Sequence, residues 1–195
     1  MLHLFRWSPR AIPALALATS ASTPIGIAHV EQDFEQLIHL HERDVFGYLW
    51  RMTGDEQAAY DLSQETFLRA WRHFARVAAY DQPRAWLFRV ATRLALNYRR
   101  DRRANPLPVD LMEADAQRLV AHDPTARLVE REAIEAALLS LPKRMRAALI
   151  LRDVYGYRSA EIARVLDVSP AAAKMTISRA REQFRAHYFD EEAGQ

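Results

Sequence analysis

Wherever this chain patterns its apolar residues, they recur at steps of three and four. Phe34, Leu37, Ile38, His41, Val45, Tyr48, Leu49 and Met52 set the rhythm, and later segments repeat it. Such spacing lays one apolar stripe along a helix, which must then be buried against another element. Five Gly in 195 residues fit helices better than a turn-rich β fold. The expected fold is therefore all-α, with two small helical domains joined by a flexible linker.

The linker is placed by charge and proline. Residues 31–65 carry a net −7, residues 84–103 a net +6, residues 104–140 a net −4 and residues 141–189 again +6, although the whole chain is only +2. Two basic blocks flanking an acidic stretch point to two separate polyanion-facing surfaces. Pro106 and Pro108 stop the helix that runs into Arg99-Arg100-Asp101-Arg102-Arg103, near Asn105. The expected division is a tail over 1–30, a first domain over 31–103, a linker over 104–123 and a second domain over 124–190. Within the linker, Leu111–Val120 can form a short helix. Residues 1–30 are Ala-rich and Pro-interrupted, and read as a disordered tail rather than a secretory signal.

Composition removes several functions. With no cysteine there is no disulfide framework, thiol nucleophile or Cys-ligated zinc. Neither GxGxxG nor GxxxxGK[ST] occurs. His39 and His41 are two apart, so on a helix they point about 200° away from each other and do not chelate one ion. Glu35 and His39 are four apart, but no second such pair completes a di-metal bundle. No cofactor, metal or catalytic residue is expected.

In the first block, Gly54 suits a left-handed helix end and Asp55 caps the next helix, about Glu56–Val77. Its inward stripe is Tyr60, Phe67, Ala70, Trp71 and Phe74, which leaves Asp61, Gln64, Glu65 and Arg69 exposed. After the Tyr80–Arg84 loop, Trp86, Leu87, Val90, Leu94 and Tyr98 form a third stripe. The other faces hold Arg84, Arg89, Arg93, Arg99, Arg100, Arg102 and Arg103 against one acid, Asp101. Arginines so crowded repel one another and become favourable when they displace counterions from phosphates.

In the second block, Asp123-Pro124 opens a helix supported by Leu128, Ile134, Leu138 and Leu139 to about Ser140. Lys143–Val154 follows, with Met145, Leu149 and Ile150 inward. Tyr157–Arg185 then reads as two helices about a tight turn, Asp167-Val168-Ser169. Ser159 caps the first, and Ser169-Pro170 is a strong start for the second. Ile162, Ala163, Leu166, Val168, Ala173 and Ile177 can form a small shared core. This is the helix-turn-helix pattern, whose second helix enters the major groove. Lys174 and Arg179 can donate to guanine edges or phosphates, and Met175 can pack on a thymine methyl, while Arg181 and Arg185 suit phosphates.

In this order and spacing, the two blocks resemble an RNA polymerase sigma factor of the extracytoplasmic-function (ECF) group over about residues 33–187. Asp61-Leu62-Ser63-Gln64-Glu65-Thr66-Phe67 is similar to the family's D-x-x-Q-E-x-F motif. The resemblance implies that Asp61, Gln64 and Glu65 bind core RNA polymerase at a coiled coil of its β′ subunit, with the β subunit a further partner. Pro83–Ala91 resembles the promoter-melting segment. That implies −10 contacts from Tyr80, Gln82, Arg84, Arg89, Arg93, Asn97 and Arg100, with an unstacked base held by the preceding loop. Arg93 and Asn97 stand where the family usually has Asn and Asp.

Leu141-Pro142, Leu151-Arg152-Asp153 and Tyr157–Arg181 resemble the −35-reading domain. The implied contacts are Arg152, Lys174, Met175, Ser178, Arg179 and Arg181. Ala172-Ala173 replaces a common Thr-Val and Thr176 a common Arg, which predicts fewer −35 contacts. The implied partners are promoter DNA, both double-stranded and melted, and an anti-sigma factor. The implied location is cytoplasmic, without membrane insertion, since no stretch approaches the ~20 apolar residues of a span. A helix-turn-helix regulator that does not dock on polymerase is the alternative. It needs a ligand or receiver domain, and residues 31–103 look like neither.

Overall fold

The structure, a computed structural model, describes residues 24–78, 80, 82–98 and 124–193. Among these there are eight helices and no strand. The first module holds α1 (Pro24–Thr53), α2 (Glu56–Arg72), α3 (Phe74–Ala78) and α4 (Pro83–Asn97). The second holds α5 (Pro124–Ser140), α6 (Lys143–Asp153), α7 (Ser159–Leu166) and α8 (Pro170–Ala193). Residues 1–23, the expected linker and its Leu111–Val120 helix lie outside the described residues. The first helix begins at Pro24, inside the segment expected as tail.

The α1–α2 corner follows its sequence. Gly54 takes φ +63°, the left-handed conformation that glycine adopts without steric cost. The Asp55 carboxylate accepts the Ala58 N–H at 3.0 Å, so one orphan donor of α2 is satisfied. Phe34, Leu37, Ile38, Val45, Tyr48, Leu49 and Met52 are buried as the spacing predicted. Tyr48 also shares a buried 2.7 Å hydrogen bond with the Thr92 hydroxyl, tying α1 to α4.

Four expectations for this module need correction. The helix predicted over Glu56–Val77 breaks at His73, which leaves the helical region with φ −119° and ψ 20°. Trp71 and Phe74, on either side of the break, both reach the Phe34 ring, at 4.9 and 5.3 Å between centroids. Tyr60 is exposed; the buried face of α2 is instead Ala59, Ser63, Thr66, Phe67 and Ala70. The helix expected to run into the arginine cluster ends at Asn97, where Tyr98 turns extended at ψ 126°. Only Arg84, Arg89 and Arg93 therefore sit on α4, and the other four arginines lie outside the described residues. The buried face of α4 is Leu87, Phe88, Ala91, Thr92 and Ala95, rotated from the predicted stripe.

In the second module, Ile134 is 38% exposed rather than inward, while Leu138, Leu149 and Ile150 are buried. Helix α7 begins at Ser159 itself; the Glu161 carboxylate accepts the Arg158 N–H at 2.6 Å and closes that end. Asp167 adopts φ 57°, the left-handed turn residue between α7 and α8. The Ser169 hydroxyl caps α8 by accepting the Ala172 N–H at 3.1 Å.

The two modules pack together through α1, α4 and the α5–α7 region, and their buried residues form one cluster. Phe88 of α4 sits 4.8 Å from the Tyr155 ring and 5.5 Å from the Tyr157 ring. Arg146 of α6 is 7% exposed and donates to Met52 O at 2.5 Å, Leu141 O at 3.0 Å and Leu139 O. It thereby occupies carbonyls left open at the ends of α1 and α5. Burial pulls its guanidinium down to about 10, still cationic at neutral pH.

Candidate nucleic-acid and polymerase interfaces

Helix α8 divides cleanly into two sides. Ala173, Ile177 and Ala180 are buried against α5, α6 and α7. Lys174, Met175, Ser178, Arg179 and Arg181 are exposed on the other side, and Met175 is 55% exposed, a large apolar residue with nothing packed over it. Arg152 from α6 lines an open groove with Lys174, Ser178, Arg181 and Arg185. Its guanidinium also donates to Tyr157 O at 3.1 Å, which fixes its stem. Arg181 makes two hydrogen bonds to the Asp153 carboxylate, and that partner raises its pKa. The helix-turn-helix therefore presents one exposed basic face, built from Arg152, Lys174, Arg179, Arg181 and Arg185.

Helix α2 offers a different surface. Asp61 is exposed, and Gln64 and Glu65 are half-buried on the same side, as three- and four-residue spacing requires. Asp61 accepts a 3.1 Å hydrogen bond from Gln57, and Glu65 pairs with Arg69 at 2.7 Å. These intrahelical partners hold the carboxylates outward. The principal packing of α2 is on α1, α3 and α4, so this face stays outside the contact between the modules.

The residues assigned to −10 are not brought together. Arg89, Arg93 and Asn97 form an exposed stripe at i, i+4 and i+8 of α4. Tyr80 and Gln82 are exposed at the α3–α4 connection. Arg100 lies outside the described residues. Arg84 departs from the stripe: its Nη2 meets the Asp44 carboxylate at 2.9 Å. Its guanidinium lies 5.4 to 5.6 Å from the centres of the Phe88, Tyr155 and Tyr157 rings. Tyr155 donates to Asp44 O at 2.9 Å, and the Arg84 side chain itself stays 37% exposed. Burial pushes the Tyr157 hydroxyl up to about 12, an effect that Arg84 opposes. Asp44, Tyr155 and Tyr157 carried no signal in the sequence, since their role appears only when the modules meet.

Comparison with known proteins decides the family. A model described as Sigma-70 region 2 matches residues 37–105, and one described as Sigma-70, region 4 matches residues 131–184. The chain belongs to the ECF group of sigma factors. It is 33% identical over 183 residues to the ECF RNA polymerase sigma factor SigG of Mycobacterium tuberculosis, covering 78% of this chain and 48% of SigG. To SigM of Bacillus subtilis it is 29% identical over 157 residues, covering 79% of this chain and 94% of SigM. The chain thus spans about half the length of some relatives and nearly all of others.

Among solved structures, the sigma factor RpoE of Bartonella quintana, in complex with the anti-sigma factor NepR, shares the fold. Its TM-score is 0.59 at 19% identity, over 80% of this chain and 96% of that one. SigJ of Mycobacterium tuberculosis matches with TM-score 0.53 at 29% identity, over 76% of this chain and 52% of SigJ. Among the described residues of this ECF sigma factor, no helix is long and apolar enough to cross a membrane.

Proposed function

We propose that this ECF sigma factor binds core RNA polymerase, directs it to a class of promoters and assists their melting, while the polymerase supplies the catalysis. One observation carries the reading: a helix-turn-helix with an exposed basic face shares a chain with an outward Asp61-Gln64-Glu65 surface. A regulator that only bound DNA would need the first surface and not the second.

In this reading Asp61, Gln64 and Glu65 contact the β′ coiled coil, and the β subunit is a further contact. Lys174, Met175, Ser178 and Arg179 meet base edges at −35. Arg152 and Arg181 meet phosphates, each contact weakening as salt rises. Tyr80 and Gln82 receive an unstacked −10 base, and Arg84, Arg89, Arg93, Asn97 and Arg100 hold the opened strand by its backbone. RpoE of Bartonella quintana was crystallised with an anti-sigma factor; such a partner is proposed here too, acting in the cytoplasm.

Promoter-specific transcription reconstituted with core polymerase tests the reading, and RNA output indifferent to the protein refutes it. Asp61→Lys with Gln64→Ala should abolish association with core while the helical content stays unchanged. Arg179→Ala should weaken −35-dependent initiation by about 1–3 kcal/mol if it reads a base pair. Duplex binding that survives in full while core polymerase is never bound would favour the helix-turn-helix regulator instead.

A further inference from the structure

Ala173, Ile177 and Ala180 mark the buried side of α8, and each residue advances about 100° around a helix. The side chains standing straight opposite are therefore Ala171, Met175, Ser178 and Glu182, one ridge at i, i+4, i+7 and i+11. All four are exposed. Lys174, Arg181 and Arg185 flank the ridge on one side, Ala172 and Arg179 on the other. A helix laid in the major groove puts its ridge deepest among the base edges and its flanks toward the outer edges and the phosphates.

The ridge is poor in hydrogen-bonding groups where it would enter. Ala171 has no polar side-chain atom, Met175 has only a weakly accepting sulfur, and Met175 is 55% exposed. Neighbouring hydroxyls are already engaged: Ser169 accepts the Ala172 N–H at 3.1 Å, and Thr176 donates to Ala172 O at 2.8 Å. Ser178 is the one hydroxyl on the ridge, and Glu182 carries a charge that phosphates repel. Base-pair edges in the major groove present one apolar group, the 5-methyl of thymine. An apolar side chain pressed on any other edge would cover donors and acceptors without replacing their water, which costs affinity.

We propose that this protein recognises part of its −35 element by thymine 5-methyl groups, with Met175 as the specificity-determining side chain and Ala171 packed on a neighbouring methyl. The inference rests on the proposed −35 reading by α8. Arg179, four residues beyond Met175 on the same side, supplies the adjoining hydrogen bonds, which suit a guanine.

Uracil is thymine without that methyl, so it removes the contact and leaves every hydrogen-bonding group in place. A pool of short duplexes randomised at the centre is selected by the full chain twice, alone at low salt and as holoenzyme with core polymerase. The selected duplex is then remade with uracil at each thymine in turn, on either strand, and its affinity is read by fluorescence anisotropy. At the thymine beneath Met175 the uracil duplex should bind about three- to fivefold more weakly, as the loss of one buried methyl requires. Met175→Ala should bind the thymine and uracil duplexes alike, and Met175→Leu should keep most of the ratio. Arg179→Ala should weaken both duplexes equally and so preserve it. Met175 is exposed and alanine is a strong helix former, so the alanine variant keeps the fold.

A selected element without an A·T pair overturns the methyl readout. So does uracil tolerated at every thymine, or a penalty that persists in Met175→Ala. Selection of an element by the chain alone, with no docking on core polymerase, would sink the sigma reading and leave the methyl readout to the uracil test. Holoenzyme that forms, selects an element and shows no uracil penalty would do the reverse. If neither selection yields an element, both fail.

Discussion

Arg146 is the most consequential buried charge in the molecule, and replacing it by Met tests how the modules are held. The guanidinium donates to Met52 O, Leu139 O and Leu141 O, and Met52 and Leu141 are each only 2% exposed. Methionine keeps an unbranched stem in the same space but leaves those carbonyls without a donor. Each buried acceptor stranded in this way costs about 1–3 kcal/mol. Part is returned, because the variant no longer takes a cation out of water, and the Arg146 Nε has no partner to lose. The net expectation is about 2–4 kcal/mol of destabilisation, or roughly 5–15 °C in Tm for a chain of this size. Urea unfolding followed by circular dichroism reads it, with Arg146→Lys expected in between because an ammonium can serve only some of the three carbonyls. A loss below about 1 kcal/mol would mean that the carbonyls are satisfied without Arg146, and the reasoning would be wrong.

Gly54→Ala should cost about 1–3 kcal/mol, since φ +63° strains any L side chain and the new Cβ would lie 2.6 Å from a Leu139 methyl; an unchanged urea midpoint would contradict this. His41 has its pKa lowered by burial and then by Arg84, against an opposing pull from Asp44. The unfolded chain therefore takes up this proton first, and stability should fall as pH drops below about 6.5. In His41→Gln that component of the acid loss should vanish, which unfolding at pH 7.5 and 5.5 would reveal. Asp153→Asn should free Arg181 for phosphate, tightening duplex binding and steepening its salt dependence by about one counterion; an unaltered slope in anisotropy titrations would refute that role.

Local chemistry explains what could be read beforehand. Gly54, Asp55, Asp167 and Ser169-Pro170 act within four residues of themselves, so turn and cap were visible in the letters alone. The face of α4 was harder, because Trp86, Leu87 and Phe88 are consecutive and offer several overlapping stripes. Only the neighbouring rings choose Phe88 over Trp86 for burial. Arg146 and Lys143 look like ordinary surface charge beside Arg144, and nothing local distinguishes them. Their partners are carbonyls, which no side-chain pattern advertises, and Met52 stands 94 positions away. The charge of Arg84 points to DNA, whereas two of the three rings around it, Tyr155 and Tyr157, come from a segment about 70 residues later.

Helix α1 runs unbroken for 30 residues, about 45 Å, and both modules pack on it. A beam shared by two floors couples their collapse. While the floors rest on it together, heating should melt the whole molecule in one calorimetric peak, the ratio of van't Hoff to calorimetric enthalpy close to one. If Arg146→Met loosens the contact between the floors, the same scan should split into two peaks, the beam melting with the lower one.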